Sequence, residues 1–210
     1  MDIPRHKVFI SYYHNDDQQY KNYLINMCEV DSYTGREQSI FDDYSVRERD
    51  IDDTNLPAER IRCIIRDEYI RDATVLILLC GKNTRYRKHI DWEIHAAMFD
   101  TDKNPQMGIL VINLPTISQW IRASSEEEKS IISNNNEWFS LDTRSDFESH
   151  YPYIPSRIID NFVKGAPITV VEWDKICGNP RLLKILIDNA FKRRNQFAYD
   201  ISAPLRKSNS

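Results

Sequence analysis

The sequence predicts a doubly wound α/β domain, in which a parallel β-sheet carries helices on both of its faces. Short apolar stretches alternate about five times with amphipathic helical patterns along the 210 residues. The stretches at 73–80 and 108–114 are apolar almost throughout, which is typical of parallel strands buried on both faces. The patterns between the strands fit the crossover helices that join parallel strands.

The first third of the chain supplies two strands and a helix. Residues 7–11 (Lys-Val-Phe-Ile-Ser) are a β-branched and aromatic run between polar residues, which predicts a buried first strand. The polar residues at 15–17 then favour a helix start, and an apolar helical pattern follows them. A second short strand is predicted at 39–41. The charged stretch 45–55 has no apolar period and is predicted to be a loop.

The middle of the chain continues the alternation. Pro57 suits the first turn of a second helix. The apolar run at 73–80 predicts the third strand, and a helix is predicted from about 88 to 99. The fourth strand is predicted at 108–114 and ends because Pro115 cannot extend the hydrogen-bonded ladder.

The region 116–155 is rich in Ser, Asn and Glu and is interpreted as an irregular insertion, with one helix near 125–132. Order resumes with a helix predicted at 156–162 and a fifth strand at 168–173. An amphipathic helix over 182–191 follows the fifth strand.

Residues 1–200 are therefore expected to form a single domain, and residues 201–210 a disordered tail. The net charge of −4 and the isoelectric point near 5.8 argue against a nucleic-acid-binding surface. No apolar run approaches the roughly 20 residues that cross a bilayer, and no signal-peptide pattern is seen. The four cysteines form no C-x-x-C pair, so we expect reduced thiols in a cytoplasmic protein. No nucleic-acid or membrane partner is expected.

Several motifs that would indicate other chemistries are missing from the sequence. It contains no Gly-rich phosphate loop and only five glycines, and it has no G-x-S-x-G elbow. His89 and His95 are six residues apart, which is not the spacing of H-E-x-x-H, so no metal site is expected. Asp42 and Asp43 would suit a phosphoacceptor or Mg²⁺ site. That interpretation is weakened because the first strand ends in Ser11 and two tyrosines where further acidic residues would be needed.

A set of motifs, in order, resembles the TIR domain family. The run 8–12 (Val-Phe-Ile-Ser-Tyr), followed by Asp16, resembles the first signature box of that family. The strand 75–79 and the helix 86–97 resemble the third strand and the helix that carries the catalytic glutamate. The W-E-I-x-x-A form of this helix is particularly similar to the TIR-like subunit of the bacterial Thoeris antiphage system, the ThsB type.

The resemblance extends to the closing part of the chain, because residues 168–173 and the following Pro-Arg-Leu-Leu at 180–183 are similar to the last strand and helix of that family. It covers residues 7 to about 194, except 116–155. It implies a flavodoxin-like TIR fold with a five-stranded parallel sheet in the order 2-1-3-4-5. In such sheets ligands bind beyond the carboxyl ends of the strands, near the first strand.

What the resemblance implies about activity is cleavage of the nicotinamide–ribose bond of NAD⁺, which would be a substrate, with no cofactor. Glu93 would be the catalytic carboxylate, stabilising an oxocarbenium-like ribosyl centre. Capture by water would give ADP-ribose, and capture by an internal atom a cyclic isomer. In antiphage defence, such a product would act as a diffusible signal to a separate effector protein.

The helical pattern agrees with this role, because Glu93 falls at the edge of the apolar stripe formed by Ile90, Ile94 and Ala97. A glutamate at such an edge is also compatible with ordinary solvation. His89 lies one turn earlier, where many TIR enzymes have an aromatic residue. Trp92 points away from the stripe, which predicts either an exposed anchor or a cover supplied by the 116–155 insertion.

Other candidates for substrate binding lie where the strands end. Ser11 would hydrogen-bond a phosphate or a ribose hydroxyl, and the rings of Tyr12 and Tyr13 would stack on adenine or nicotinamide. The alternative is that these three residues only cover the sheet edge. Asp42 follows the second strand and would shape the pocket, unless it merely caps the next loop. Asn113 ends the fourth strand and is a further pocket candidate.

The charged loop 45–57 corresponds to the loop through which many TIR domains contact neighbouring copies. The resemblance therefore implies TIR–TIR self-association. It also leaves open a non-catalytic TIR scaffold that acts by protein–protein association. A nucleoside-processing transferase of related fold is a third alternative.

Overall fold

A computed structural model describes residues 5–29, 39–45, 72–102, 104–133 and 138–209, together with the single positions 60, 64 and 70. Its centre is a five-stranded sheet in which every pairing is parallel and the strand order is β2-β1-β3-β4-β5. The strands are β1 (His6–Ser11), β2 (Phe41–Asp43), β3 (Val75–Cys80), β4 (Gly108–Asn113) and β5 (Thr169–Glu172). The predicted fold class and strand order are confirmed.

Seven α-helices surround the sheet within the described residues. They are α1 (His14–Glu29), α2 (Lys88–Met98), α3 (Glu126–Ile132), α4 (Arg144–His150), α5 (Ser156–Val163), α6 (Trp173–Ile176) and α7 (Pro180–Arg193). Short 3₁₀ turns lie at Thr84–Tyr86 and Arg194–Gln196. No helix in this described part is long and apolar enough to cross a membrane.

Alternate residues of the strands supply two separate cores, one on each face of the sheet. Phe9, Leu76 and Leu78 pack against α2 and α5 on one face, while Val8 and Ile10 pack with α1 and α7 on the other. Every residue of β3 and β4 is buried, as the two apolar runs predict. Full burial of one such aliphatic side chain contributes about 1.5–3 kcal/mol, so these two strands contribute strongly to both cores.

Gly108 begins β4 directly beneath α7. A Cβ atom at this position would lie 2.2 Å from the carbonyl oxygen of Ala190, because the helix backbone touches the strand backbone here. This close approach requires glycine, because any side chain here would overlap the backbone of α7.

The insertion 116–155 is more ordered than the sequence indicates. Its first helix, α3, lies where it is predicted, but α4 is an additional helix. A capping box explains α4, since the Thr143 side chain accepts from the Asp146 amide and the Asp146 side chain accepts from the Thr143 amide. Arg122 also forms an isolated antiparallel bridge with Val170 on the outer edge of β5.

Some predicted boundaries differ from the observed ones. The second strand is shifted to Phe41–Asp43, and the fifth ends at Glu172 because Trp173 begins α6. The predicted loop 45–57 lies outside the described residues apart from Ser45. The helix predicted from Pro57 also lies outside them, apart from the single positions at 60 and 64.

The C-terminal segment 201–209 lies against the rest of the protein, unlike the disordered tail that the sequence predicts. The buried Arg157 donates to both oxygens of Asp91 at 2.9 and 3.1 Å, and also to the carbonyls of Ala203 and Pro204. The amide of Arg206 donates to Asp91 at 2.9 Å. One buried ion pair therefore fastens the tail to α2 and α5.

The same tail explains the position of Trp92. This side chain is buried, and its indole nitrogen donates to the carbonyl of Arg206 at 2.9 Å. Neither predicted arrangement, an exposed anchor or a cover supplied by the insertion, is correct. The cover comes from the C-terminal segment, and most of its polar contacts are made by main-chain groups that carry no sequence signal.

Candidate active site

Two of the predicted site residues meet at the carboxyl edge of the sheet. Ser11 is the last residue of β1, paired in register with Leu78 of the adjacent β3. Its hydroxyl donates a hydrogen bond of 2.6 Å to Oε2 of Glu93, which projects from α2. The contact joins the first strand to the helix after the third, at the crevice where doubly wound sheets bind ligands.

The packing of α2 determines where Glu93 points. Ile90, Ile94 and Ala97 are buried against the sheet, whereas Glu93 is only half-buried at the edge of this stripe. The small side chains of Ala96 and Ala97 follow one turn later. The helix therefore presents a carboxylate at the boundary between core and solvent, as the helical pattern predicts.

The environment of Glu93 shifts its protonation equilibrium. Burial raises the pKa of this carboxyl to about 7, while the hydrogen bond from Ser11 acts in the opposite direction. Within the described residues, Oε1 of Glu93 has no hydrogen-bond donor. A carboxyl with one oxygen held and the other available, titrating near neutrality, is characteristic of functional sites.

The two tyrosines after Ser11 lie on opposite sides of the strand end. Tyr12 is buried with α1, where its hydroxyl donates to Gln18 at 2.7 Å, so the structure does not bring it to Glu93. Tyr13 packs partly against the core that contains α2. The guanidinium of Arg87 lies 3.9 Å from the centroid of the Tyr13 ring.

The other predicted residues are more distant from this contact or are engaged elsewhere. His89 lies one turn before Glu93, but its ring makes an edge contact with Trp92 at 5.1 Å. Asp42 pairs with Arg5 at 3.5 Å, and its register partner Lys7 precedes Ser11 by four residues, roughly 13 Å along the strand. Asp42 is therefore not brought to the Ser11–Glu93 pair.

Asn113 is fully buried at the end of β4, and both ends of its amide are occupied. Its Oδ1 accepts from Gln119 at 2.6 Å, and its Nδ2 donates to the carbonyl of Trp120 at 3.3 Å. These bonds anchor the first residues of the insertion on the sheet. In this arrangement Asn113 supports the loop after β4, whereas the sequence suggested that it would line the substrate pocket.

Sequence reasoning missed two residues beside this edge. Arg87 immediately precedes α2, and a cation six residues before the candidate glutamate was the available signal. Asp17 was interpreted only as a helix-start residue, yet it is buried and its Oδ2 has no hydrogen-bond partner within the described part of the chain. Burial, with a smaller effect of Asp16, raises the pKa of Asp17 to about 6.

The cysteine that ends β3 is not a candidate nucleophile. Burial raises the pKa of the Cys80 thiol, which donates to the carbonyl of Tyr153 at 3.3 Å and stays protonated. Within the described residues, no group of three or more His, Cys, Asp or Glu side chains is placed to hold a metal ion. The functional groups at this edge are the carboxyls of Glu93 and Asp17, the hydroxyl of Ser11 and the guanidinium of Arg87.

The parallel sheet in the order 2-1-3-4-5, with a glutamate on the helix after the third strand facing the end of the first strand, defines a TIR-like α/β domain. The family described as Thoeris protein ThsB, TIR-like domain, matches residues 9–119, which is more than half of the chain and includes both Ser11 and Glu93. The chain belongs to this family. None of the curated proteins compared with the chain matches it.

Proposed function

We propose that this chain is an NAD⁺-processing enzyme of antiphage defence, which cleaves the nicotinamide–ribose bond with Glu93 as its catalytic carboxylate. The observation that carries the proposal is the Ser11–Glu93 hydrogen bond at the carboxyl edge of the sheet. Membership of the Thoeris ThsB family supports the defence role. The product would be a cyclic ADP-ribose-type signal that reaches a separate effector protein.

The chemistry requires a negative charge beside the ribose. The bond from the ribose C1′ to the pyridinium nitrogen breaks, and its electron pair leaves with nicotinamide, which becomes neutral. Positive charge then develops on the ribosyl centre, where an ionised carboxylate stabilises it. Water captures the centre to give ADP-ribose and a proton. An adenine or ribose atom of the same molecule captures it to give a cyclic isomer.

Ser11 and Glu93 would have different roles in this reaction. The Ser11 hydroxyl holds Oε2 and favours the charged form of the carboxyl. Oε1 is then available to accept a hydrogen bond from a ribose hydroxyl, which orients the sugar. Ser11 acts through Glu93 in this scheme and is a positioning residue.

The test compares NAD⁺ turnover by the purified protein and by the Glu93→Gln variant, with products separated by chromatography and identified by mass spectrometry. Incubations with and without extract of phage-infected cells detect a requirement for a trigger. We expect Glu93→Gln to reduce turnover at least 100-fold. Glu126→Gln is the matched control, because Glu126 is exposed on α3 and its ion pair among the described residues is with the nearby Lys129.

Turnover by Glu93→Gln at the rate of the unmodified protein would overturn the assignment. Phage protection in cells provides the second measurement. If Glu93→Gln still protects while substitutions in the loop 45–57 abolish protection, the chain works as a TIR scaffold through self-association and not as an enzyme.

A further inference from the structure

Arg87 contacts the segment that follows Ser11, at the end of β1. It is the residue immediately before α2, and its guanidinium lies over the ring of Tyr13 at 3.9 Å. Tyr13 follows Ser11 by two residues, in the loop between β1 and α1. The stacked pair therefore connects the two segments that also supply Ser11 and Glu93.

The guanidinium of Arg87 has an incomplete set of partners. The residue is half-buried, and its Nε atom is buried without a hydrogen-bond acceptor among the described residues. Within that same part of the chain, no carboxylate forms an ion pair with it. Burial of an unsatisfied cationic nitrogen is costly. The Tyr13 ring offsets only part of this cost by a cation–π contact.

Nearby cations differ from Arg87 in this respect. Arg85 donates to Glu148 at 3.3 Å and to the carbonyl of Pro152 at 2.9 Å, so its head group is occupied. The ammonium of Lys88 lies 5.5 Å from the centroid of the Trp92 ring. Among these three cations, Arg87 is therefore the one with an unsatisfied donor, and its ring partner Tyr13 follows Ser11 by two residues.

We infer that Arg87 binds the pyrophosphate of the dinucleotide substrate, held in place by its stack on Tyr13. The inference rests on the proposed function, since it assigns a second part of the same site. A planar guanidinium offers two parallel N–H groups that match a phosphate, and stacking on an aromatic ring fixes its orientation.

The spacing along α2 agrees with a phosphorylated ribose. Six residues separate Arg87 from Glu93, a rise of about 9 Å along a helix and a rotation that leaves the two positions about 120° apart. The stack on Tyr13 is what turns the Arg87 guanidinium towards the end of β1. A nucleotide that places its ribosyl C1′ carbon at Glu93 would direct its 5′-phosphate along the helix towards Arg87. The start of α2 adds the positive end of an 11-residue helix dipole beside Arg87. The site would therefore select dinucleotides over unphosphorylated ribosides.

Binding of ADP-ribose, measured by titration calorimetry, tests the inference. ADP-ribose keeps the pyrophosphate and lacks the scissile bond, so its affinity does not depend on catalysis. We expect Arg87→Met to weaken ADP-ribose binding about 10- to 100-fold and to leave adenosine binding unchanged. Arg87→Lys should restore part of the affinity. Arg85→Met, on the same loop, is the matched control and should bind ADP-ribose normally.

Kinetics and folding complete the test. If NAD⁺ is turned over, Arg87→Met should raise KM more than it lowers kcat, and should not affect the turnover of nicotinamide riboside. The melting temperature of each variant checks that it is folded. Equal ADP-ribose affinity of Arg87→Met and the unmodified protein overturns the inference, as does no ADP-ribose binding by either protein.

The two proposals fail separately. Weak ADP-ribose binding by Arg87→Met, together with normal NAD⁺ turnover by Glu93→Gln, would retain the phosphate-binding role of Arg87 and reject the catalytic role of Glu93. Normal ADP-ribose binding by Arg87→Met, together with inactive Glu93→Gln, would reject only the role of Arg87.

Discussion

Ser11 Oγ and Glu93 Oε2 lie 2.6 Å apart, although 82 residues separate them in the sequence. The bond forms where β1 ends, on the side of the sheet that faces α2. Two effects act in opposite directions on the pKa of Glu93. Burial favours its protonated form, and the hydrogen bond from the Ser11 hydroxyl favours its ionised form. Changes to either residue should therefore alter a measurable proton equilibrium.

Removal of the Ser11 hydroxyl should raise the pKa of Glu93 further, because the ionised form loses a donor. In a Ser11→Ala variant, the acid limb of the pH profile of kcat/KM for NAD⁺ should move to higher pH by about one unit. Activity at pH 7 falls as a result and recovers at higher pH. Ser11→Thr keeps a hydroxyl and should retain the original limb. An unshifted limb in Ser11→Ala would contradict this role for the bond.

Glu93 should also make the folded state less stable at alkaline pH. Its pKa is raised from the ordinary value of 4.5 to about 7, so the folded protein binds more protons than the unfolded chain between these values. The free energy of unfolding then falls as pH rises through this window. Glu93→Gln should melt higher at pH 8 by about 2–4 °C per kcal/mol recovered, and no higher at pH 4.

Calorimetric melting at both pH values checks this prediction, with Glu126→Gln as the exposed control. An equal difference in melting temperature at pH 4 and pH 8 would show that the carboxyl is not destabilising through its charge. A higher melting temperature of Glu93→Gln combined with lost activity would show that Glu93 serves function at a cost in stability.

Arg157 should be essential for docking the C-terminal segment. Its side chain is only 1% exposed, and an Arg157→Met substitution would leave the carboxylate of Asp91 buried without its cation. Breaking a buried pair in this way costs about 3–5 kcal/mol. We expect lower stability in urea unfolding, together with a red shift in fluorescence as Trp92 loses its cover.

Lys164 provides the comparison for Arg157, because it forms a surface ion pair with Asp200, the residue immediately before the C-terminal segment. The Lys164 side chain is 55% exposed, so Lys164→Met should cost less than about 1 kcal/mol. Similar losses for both variants would indicate that burial of the Arg157 pair is not what holds the tail.

Gly108→Ala should destabilise the protein by about 3 kcal/mol or more, because the new Cβ would overlap the α7 backbone at Ala190. Thermal or urea unfolding measures the effect. Gly165→Ala is the control: its φ of +81° disfavours alanine, but no atom lies within 4 Å, so the cost should be about 1 kcal/mol. Equal losses would show that α7 can move away from β4.

The elements that carry periodic apolar residues were predictable from the sequence. The runs of β3 and β4 indicate strands buried on both faces, and the helical stripe of α2 places Glu93 at its edge. Strand order followed from the resemblance and not from periodicity, because a pattern of buried residues does not state which strands are neighbours.

The residues around Glu93 were harder to predict, for two physical reasons. Successive residues of a strand point to opposite faces, so Ser11 and Tyr12 cannot both face α2, and this alternation alone separates their roles. The contacts of the C-terminal segment could not be predicted from the sequence. They depend largely on the main-chain carbonyls of Ala203, Pro204 and Arg206, and every residue type has such a carbonyl. The start of α4 carried a readable signal in its Thr-x-x-Asp capping box.

The bridge between Arg122 and Val170 has a consequence for how copies of this chain can aggregate or polymerise. The two residues exchange both main-chain hydrogen bonds, at 2.9 and 2.8 Å, on the outer side of β5. An edge strand whose outward donors and acceptors are already paired does not template a further strand. The bridge occupies the outward main-chain groups of Val170, which disfavours pairing of another strand at that point of β5.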